Sequence, residues 1–270
     1  MLKLRIIAAL IAAPLVVAAL FYTSQQSFSV IFLVLAGIAL FEWGNLAGLE
    51  SLLTRALYLA LYCLLAYLLY VSNLLLFMLA LSSMFWLLAL LMVLFHPRFQ
   101  SWLENQPLHL AAGLVVALGA WSGLLVLKAL AAGEWLLVWV MILVWGADVG
   151  AYFSGKSLGR HKLAPDISPG KTWEGVIGGL MLSMAATLAM VLYIPDLQSV
   201  NIEILLWLTM AFCLAGISIA GDLFESILKR HVGVKDSGRI FPGHGGLLDR
   251  VDALVAVLPL FAGLIYLNLS

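Results

Sequence analysis

The chain has 270 residues, 64% of them hydrophobic and only 10% charged, with a mean hydropathy of +1.10. Soluble domains carry roughly 25% charged residues, so this chain has too little polar surface to cover itself in water, and a bilayer is the solvent that fits. The formal net charge is zero, which removes any global electrostatic case for nucleic-acid binding.

A spanning helix needs about 20 mostly apolar residues. On that measure the sequence predicts an all-α polytopic membrane protein of about nine transmembrane helices, at 4–22, 29–48, 52–71, 73–95, 108–128, 134–153, 176–194, 203–224 and 253–269. The first segment has Lys3 and Arg5 ahead of an apolar stretch, a pattern shared with signal peptides. Its apolar run is long for one and further spans follow, so it reads as a span. Glu42, Glu50 and Arg55 crowd the junction of the second and third segments, and Glu42 with Trp43 reads as an interfacial element. Pro97 follows the fourth segment, Pro107 precedes the fifth and Pro195-Asp196 closes the seventh, because proline lacks the amide proton a helix interior needs. His96 and His109 border spans and read as interfacial. Cys63 and Cys213 lie in apolar runs and read as small buried hydrophobes, not as a disulfide framework. No internal repeat supports an inverted-repeat transporter.

With nine spans, one side of the membrane receives Lys3, Arg5, Arg55, Arg98, Lys156, Arg160, Lys162, Lys171, Lys229, Arg230, Lys235, Arg239 and Arg250, and the other only Lys128. The positive-inside rule then predicts a cytoplasmic N-terminus and a C-terminus on the opposite side. The expected organisation is a single integral membrane unit over 1–270. Residues 1–135 supply spans without motifs, and 136–270 supply the spans and loops that carry chemistry. The short N-terminal segment and compact loops suggest a bacterial inner membrane.

The chemistry concentrates after residue 140. Asp148 lies within the sixth predicted span, and an ionisable residue there is a functional candidate by default. The alternative is a pair with a basic residue of another span. The loop over about 154–175 holds Lys156, Arg160 and Lys162, then Ser168-Pro169-Gly170-Lys171-Thr172-Trp173-Glu174-Gly175. Ser168, Lys171 and Thr172 have the chemistry to contact phosphate. Basic residues at a membrane surface also hold topology or touch anionic lipid. Asp222, Glu225 and Ser226 share a helical face by i, i+3, i+4 spacing, with Lys229 four residues beyond Glu225. Asp249 and Asp252 are likewise three apart at the start of the last span. Two helix ends can thus present carboxylates to one point, and hard oxygen ligands without thiolate or clustered imidazole favour Mg²⁺. Salt bridges tethering the loops are the plainer use of the same acids. Pro242-Gly243-His244-Gly245-Gly246 cannot be regular helix. Its glycines let backbone amides approach an anion, and the helix start that follows adds its dipole. A tight re-entry turn is the plainer reading.

Ser226-x-Leu228-Lys229-Arg230, Lys235-Asp236 and Pro242-x-His244-Gly245-Gly246-x-x-Asp249-Arg250-x-Asp252 together resemble the signature of the phosphatidate cytidylyltransferase (CDP-diacylglycerol synthase) family. Ser168 to Gly175 resembles that family's other characteristic stretch. The resemblance is close over about 140–255, and the N-terminal half matches only in hydropathy. It implies transfer of a cytidylyl group from CTP to phosphatidate, with release of pyrophosphate, at the cytoplasmic boundary. It also implies Mg²⁺, a monovalent cation such as K⁺ alongside, and a homodimer. Asp222 and Asp249 would then bind the metal. Lys171, Lys229, Arg230, Lys235, His244 and Arg250 would face phosphate, with Asp236 counted in the catalytic group and Ser226, Gly245 and Gly246 in the substrate-binding group. Asp148, Glu225 and Asp252 are further candidates. A CTP-dependent lipid kinase would release CDP instead of pyrophosphate, and a transporter would scatter its acids through mid-membrane.

Overall fold

The computed structural model describes residues 14–98, 101–240 and 245–269. Its elements are α1 (helical over the described residues 14–22), α2 (Gln25–Leu46), α3 (Leu52–Val71), α4 (Leu75–Leu94), α5 (Ser101–Glu104), α6 (Gln106–Lys128), α7 (Gly133–Leu158), β1 (Lys162–Ala164), β2 (Ser168–Thr172), α8 (Trp173–Tyr193), α9 (Pro195–Gln198), α10 (Ile204–His231) and α11 (Leu248–Leu269). Eight of these, among the described residues, are long and apolar enough to cross a membrane. The predicted first span, 4–22, lies partly outside the described residues. The molecule is an all-α polytopic membrane protein with one small hairpin.

Polar residues at the span junctions start several helices. The side chains of Ser24, Ser51, Asn105 and Thr172 accept hydrogen bonds from the backbone of Ser27, Thr54, Leu108 and Gly175, which satisfies amides left open at a helix N-terminus. α6 is the central helix, with α2, α4 and α11 packed around it. Its Val116, Trp121, Leu125 and Leu127 are buried. α7 and α8 form a close pair: a Cβ at Gly179 would meet the Ala147 carbonyl oxygen at 2.6 Å, so small residues set that approach. α10 contacts α4, α7, α8 and α11. Leucines of α3 and α4 point outward, as lipid-facing surfaces do.

Four expectations need correction. α10 was expected to end at residue 224 but continues to His231, so Glu225 to Arg230 are helical and not loop. The charge that suggested a loop suits this helix end: Lys229, Arg230 and His231 sit in the last turn, where the dipole favours cations. The loop at 154–175 contains an antiparallel pairing of β1 with β2, Lys162 opposite Thr172 and Ala164 opposite Ser168. Cys63 and Cys213 are free and exposed on the outer helix faces, not buried. Glu42 and His109 are buried at 2% and 1% exposure, not interfacial.

The chain alternates between two ends of the bundle. Trp43 Nε1 donates to the His109 carbonyl at 2.9 Å, which joins the end of α2 to the start of α6. Lys171 meets Asp222, and Glu42 meets Leu248. The ends of α2, α7 and α10 therefore gather with the starts of α6, α8 and α11. At the opposite end, Lys128 pairs with Glu134 at 2.6 Å and donates to the Leu20 carbonyl.

Candidate active site

The last third of α10 carries Asp222, Glu225, Ser226 and Lys229 on one face, as the spacing predicted. Its other side buries Leu223, Phe224, Ile227 and Leu228. Phe224 sits among Trp43, Phe85, Trp86 and Trp102, with ring centroids 5.7–6.3 Å away. This aromatic nest from α2, α4 and α5 fixes the rotation of α10 and hence the direction of its polar face. Beyond His231, Gly233 adopts φ +70°. Its amide bonds to the Arg230 carbonyl and that of Val234 to the Lys229 carbonyl, a Schellman ending that stops the helix.

Two ion pairs organise the site. Lys171 Nζ lies 2.8 Å from Asp222 Oδ2, which links the hairpin to α10. Lys229 Nζ lies 2.6 Å from Asp249 Oδ1 and 3.4 Å from Glu225 Oε2, which links α10 to α11. Asp249 Oδ2 accepts from Ser237 N and Gly246 N at 2.8 Å each, and from Ser237 Oγ at 2.9 Å. Ser226 Oγ is 3.5 Å from Asp222 Oδ1. The Glu225 and Asp252 carboxyl groups lie within electrostatic reach of each other, and Asp148 lies within electrostatic reach of Asp222, Lys171 and Arg250. Asp148, from the open side of α7, therefore joins the same cluster.

The hairpin aims Lys171. β1 and β2 hold it beside the start of α8, and Lys162 Nζ donates to the Pro169 carbonyl at 2.8 Å across the turn. Glu174 accepts from the amides of Arg160 and His161 and pairs with His161 Nδ1 at 2.7 Å, which ties the strand entry to α8. Thr172 is buried and its hydroxyl caps α8 at 3.2 Å, a use within the fold. Ser168 stands at the far end of the hairpin ladder, opposite Ala164.

Other expected residues take different places. Arg230 donates to the Val234 carbonyl at 3.2 Å and lines a cavity of about 280 Å³ with His96, His231 and Asp166. Lys235 and Asp236 are exposed on the turn after α10. Gly245 has φ +83°, a conformation open to glycine, and faces the Asp249 carboxylate. His244 lies outside the described residues. Sequence reasoning missed Glu42 and Ser237. Glu42 carried a usable signal: it is an acid at the end of an apolar run, the criterion that singled out Asp148.

The residues fit a hard divalent cation. All the candidate ligands are carboxylate oxygens, and the buried Glu225 has no hydrogen bond on either oxygen, with the Lys229 ammonium 3.4 Å from Oε2. Asp222 Oδ1 lies 3.5 Å from Ser226 Oγ, and Asp249 Oδ1 keeps a lone pair beyond the one facing Lys229. No ready group of three or more His, Cys, Asp or Glu ligands occurs among the described residues.

The cytidylyltransferase family model matches residues 3–268, nearly the whole chain. The chain belongs to the cytidylyltransferase family. It is 42% identical over 267 residues to the phosphatidate cytidylyltransferase of Pseudomonas aeruginosa, covering 98% of this chain and 97% of that protein. The Haemophilus influenzae phosphatidate cytidylyltransferase is 36% identical over 282 residues, covering 97% and 98%. The Staphylococcus aureus enzyme of the same name is 54% identical over 124 residues, 46% of each chain. The family match extends through the N-terminal helices, where the sequence reading found no motif. In this member of the family, those helices supply the nest around Phe224 and the buried Glu42.

Proposed function

We propose that the chain transfers a cytidylyl group from CTP to phosphatidate, giving CDP-diacylglycerol and pyrophosphate for phospholipid synthesis. The observation that carries this reading is the double ion pair, Lys171 with Asp222 and Lys229 with Asp249, at one end of a bundle whose family and full-length relatives carry that activity. The lipid phosphate oxygen attacks the α-phosphorus of CTP in line, the α–β P–O bond breaks, and pyrophosphate leaves. A phosphate monoester is already largely ionised near neutral pH, so positioning and charge neutralisation do most of the work.

Lys171 and Lys229 meet the negative charge of the two substrates, drawn from their present carboxylate partners. Asp222 and Asp249 would hold Mg²⁺, which would offset the negative charge of the substrate phosphates. Glu225 stands 3.4 Å from Lys229 and Asp148 within electrostatic reach of Lys171, and the same cluster of carboxyl groups would offer a monovalent cation such as K⁺ a place. Arg250 stands on the exposed side of α11, next to Asp249, where a triphosphate would arrive.

The site faces the cytoplasm in this reading, because CTP arrives from water while the acyl chains stay in lipid. The N-terminus is then cytoplasmic and the C-terminus opposite, in a bacterial inner membrane. The gathering of basic loops at the site's end of the bundle supports this orientation. A homodimer, implied by the family resemblance, completes the proposal.

The test is turnover by the purified protein with phosphatidate, CTP and Mg²⁺, following pyrophosphate and the lipid product together. Both products should appear, and EDTA should abolish them. CDP without a cytidylated lipid would overturn the reading in favour of a kinase.

A further inference from the structure

Glu42 comes from the helix end that carries no motif, yet its carboxylate ends inside the catalytic end of the bundle. Oε2 accepts from Leu248 N at 2.8 Å and from Ser237 Oγ at 3.1 Å, and Oε1 accepts from Leu247 N at 3.1 Å. One side chain of α2 thus satisfies the open amides at the start of α11 and grips the turn after α10. The Ser237 hydroxyl stands between two carboxylates, 3.1 Å from Glu42 and 2.9 Å from Asp249. With a single hydrogen it donates to one of them at a time. The chain wraps Glu42 closely: a Cβ at either Gly238 or Gly246 would collide with its carboxylate. Glycine at those two positions is what lets the turn close over the acid.

We propose that Glu42 is a positioning residue for cytidylyl transfer. It holds Ser237 and the first turn of α11 so that Asp249 keeps Oδ2 engaged and presents Oδ1 towards Lys229 and the substrates. This inference rests on the proposed function, in which Asp249 belongs to the catalytic machinery. A buried acid that merely stabilised the bundle would act on all helices alike. One that positions Asp249 acts on the 237–249 segment and on the chemical step.

The experiment compares the full-length wild type with Glu42→Gln, Ser237→Ala and the double variant in lipid nanodiscs, with steady-state kinetics and backbone hydrogen exchange measured on each. Glu42→Gln keeps the shape but puts an amide where an acceptor is needed. Its kcat should fall about 10–100-fold, the range for partners that orient active-site ligands, while KM for CTP stays within about threefold. Exchange should quicken at 237–249 and stay as in the wild type within α6 and α7. The two single losses should not add in the double variant, because they cut one chain of contacts. If Glu42→Gln fails to accumulate, Ser237→Ala carries the same test, with kcat down about tenfold and faster exchange over the same segment. Wild-type kcat and exchange in these variants would overturn the proposal, as would exchange quickened uniformly through the bundle. Absence of turnover in the wild type would sink the proposed function instead, and the exchange comparison would still decide whether Glu42 holds the segment.

Discussion

Asp249 carries four contacts on two oxygens, and each oxygen has its own task. Oδ2 is anchored by Ser237 and Gly246, while Oδ1 faces Lys229. Asp249→Asn removes the charge that Lys229 needs and places a donor against donors. Turnover should drop about 100-fold or more while the protein still inserts and purifies, and pyrophosphate release measures it. Wild-type rates in that variant would remove Asp249 from the mechanism. Lys171 makes a parallel case. Its ammonium ties the hairpin to Asp222, so Lys171→Ala should lower kcat/KM for CTP by about 100-fold, read from initial rates at varied CTP. Most of this cluster was legible beforehand, because helical spacing alone puts Asp222, Glu225, Ser226 and Lys229 on one face. Glu42 had a signal of its own in its place at the end of an apolar run, but its role did not, because its partner Ser237 is 195 residues away and nothing local to either residue names the other.

At the scale of elements, apolar runs marked the helices well and their polar ends poorly. α10 and α11 each begin or end in charged turns that composition alone reads as loop, and helical hydrogen bonding carries through them. The hairpin was hidden for a different reason. Ser168-Pro169-Gly170-Lys171-Thr172 has the residues of a turn, and its pairing with Lys162–Ala164 depends on Glu174 drawing residues 160 and 161 back to α8. Thr172 tests this local logic. Its hydroxyl caps α8, and Thr172→Ala should lower stability by about 1 kcal/mol, seen as a lower thermal midpoint in detergent. An unchanged midpoint would mean that the cap contributes nothing and would return the hydroxyl to the substrates.

Across the whole molecule, the two ends of the bundle differ in kind. One gathers the hairpin, the carboxylates and the basic loops. The other, among the described residues, closes on Lys128, Glu134 and the Leu20 carbonyl. A cysteine at Gly170, which stands clear of other atoms, should react with a membrane-impermeant maleimide only from the cytoplasmic side. The background would need Cys63 and Cys213 replaced, since both are exposed. Labelling from the outer face would invert the topology and leave CTP without access.

The bond from Glu42 to the start of α11 also has a bearing on the order of synthesis. Glu42 leaves the ribosome some two hundred residues before Leu247 and Leu248, the amides that satisfy it. Until α11 inserts, an acid among apolar helices waits without its partners, a costly state in a membrane. A nascent chain that stalls before α11 therefore has the hairpin and most of the carboxylates but no closed site. Catalytic competence should arrive in one step, once α11 is in place, and a product truncated before α11 should be a substrate for quality-control proteases and not a slow enzyme.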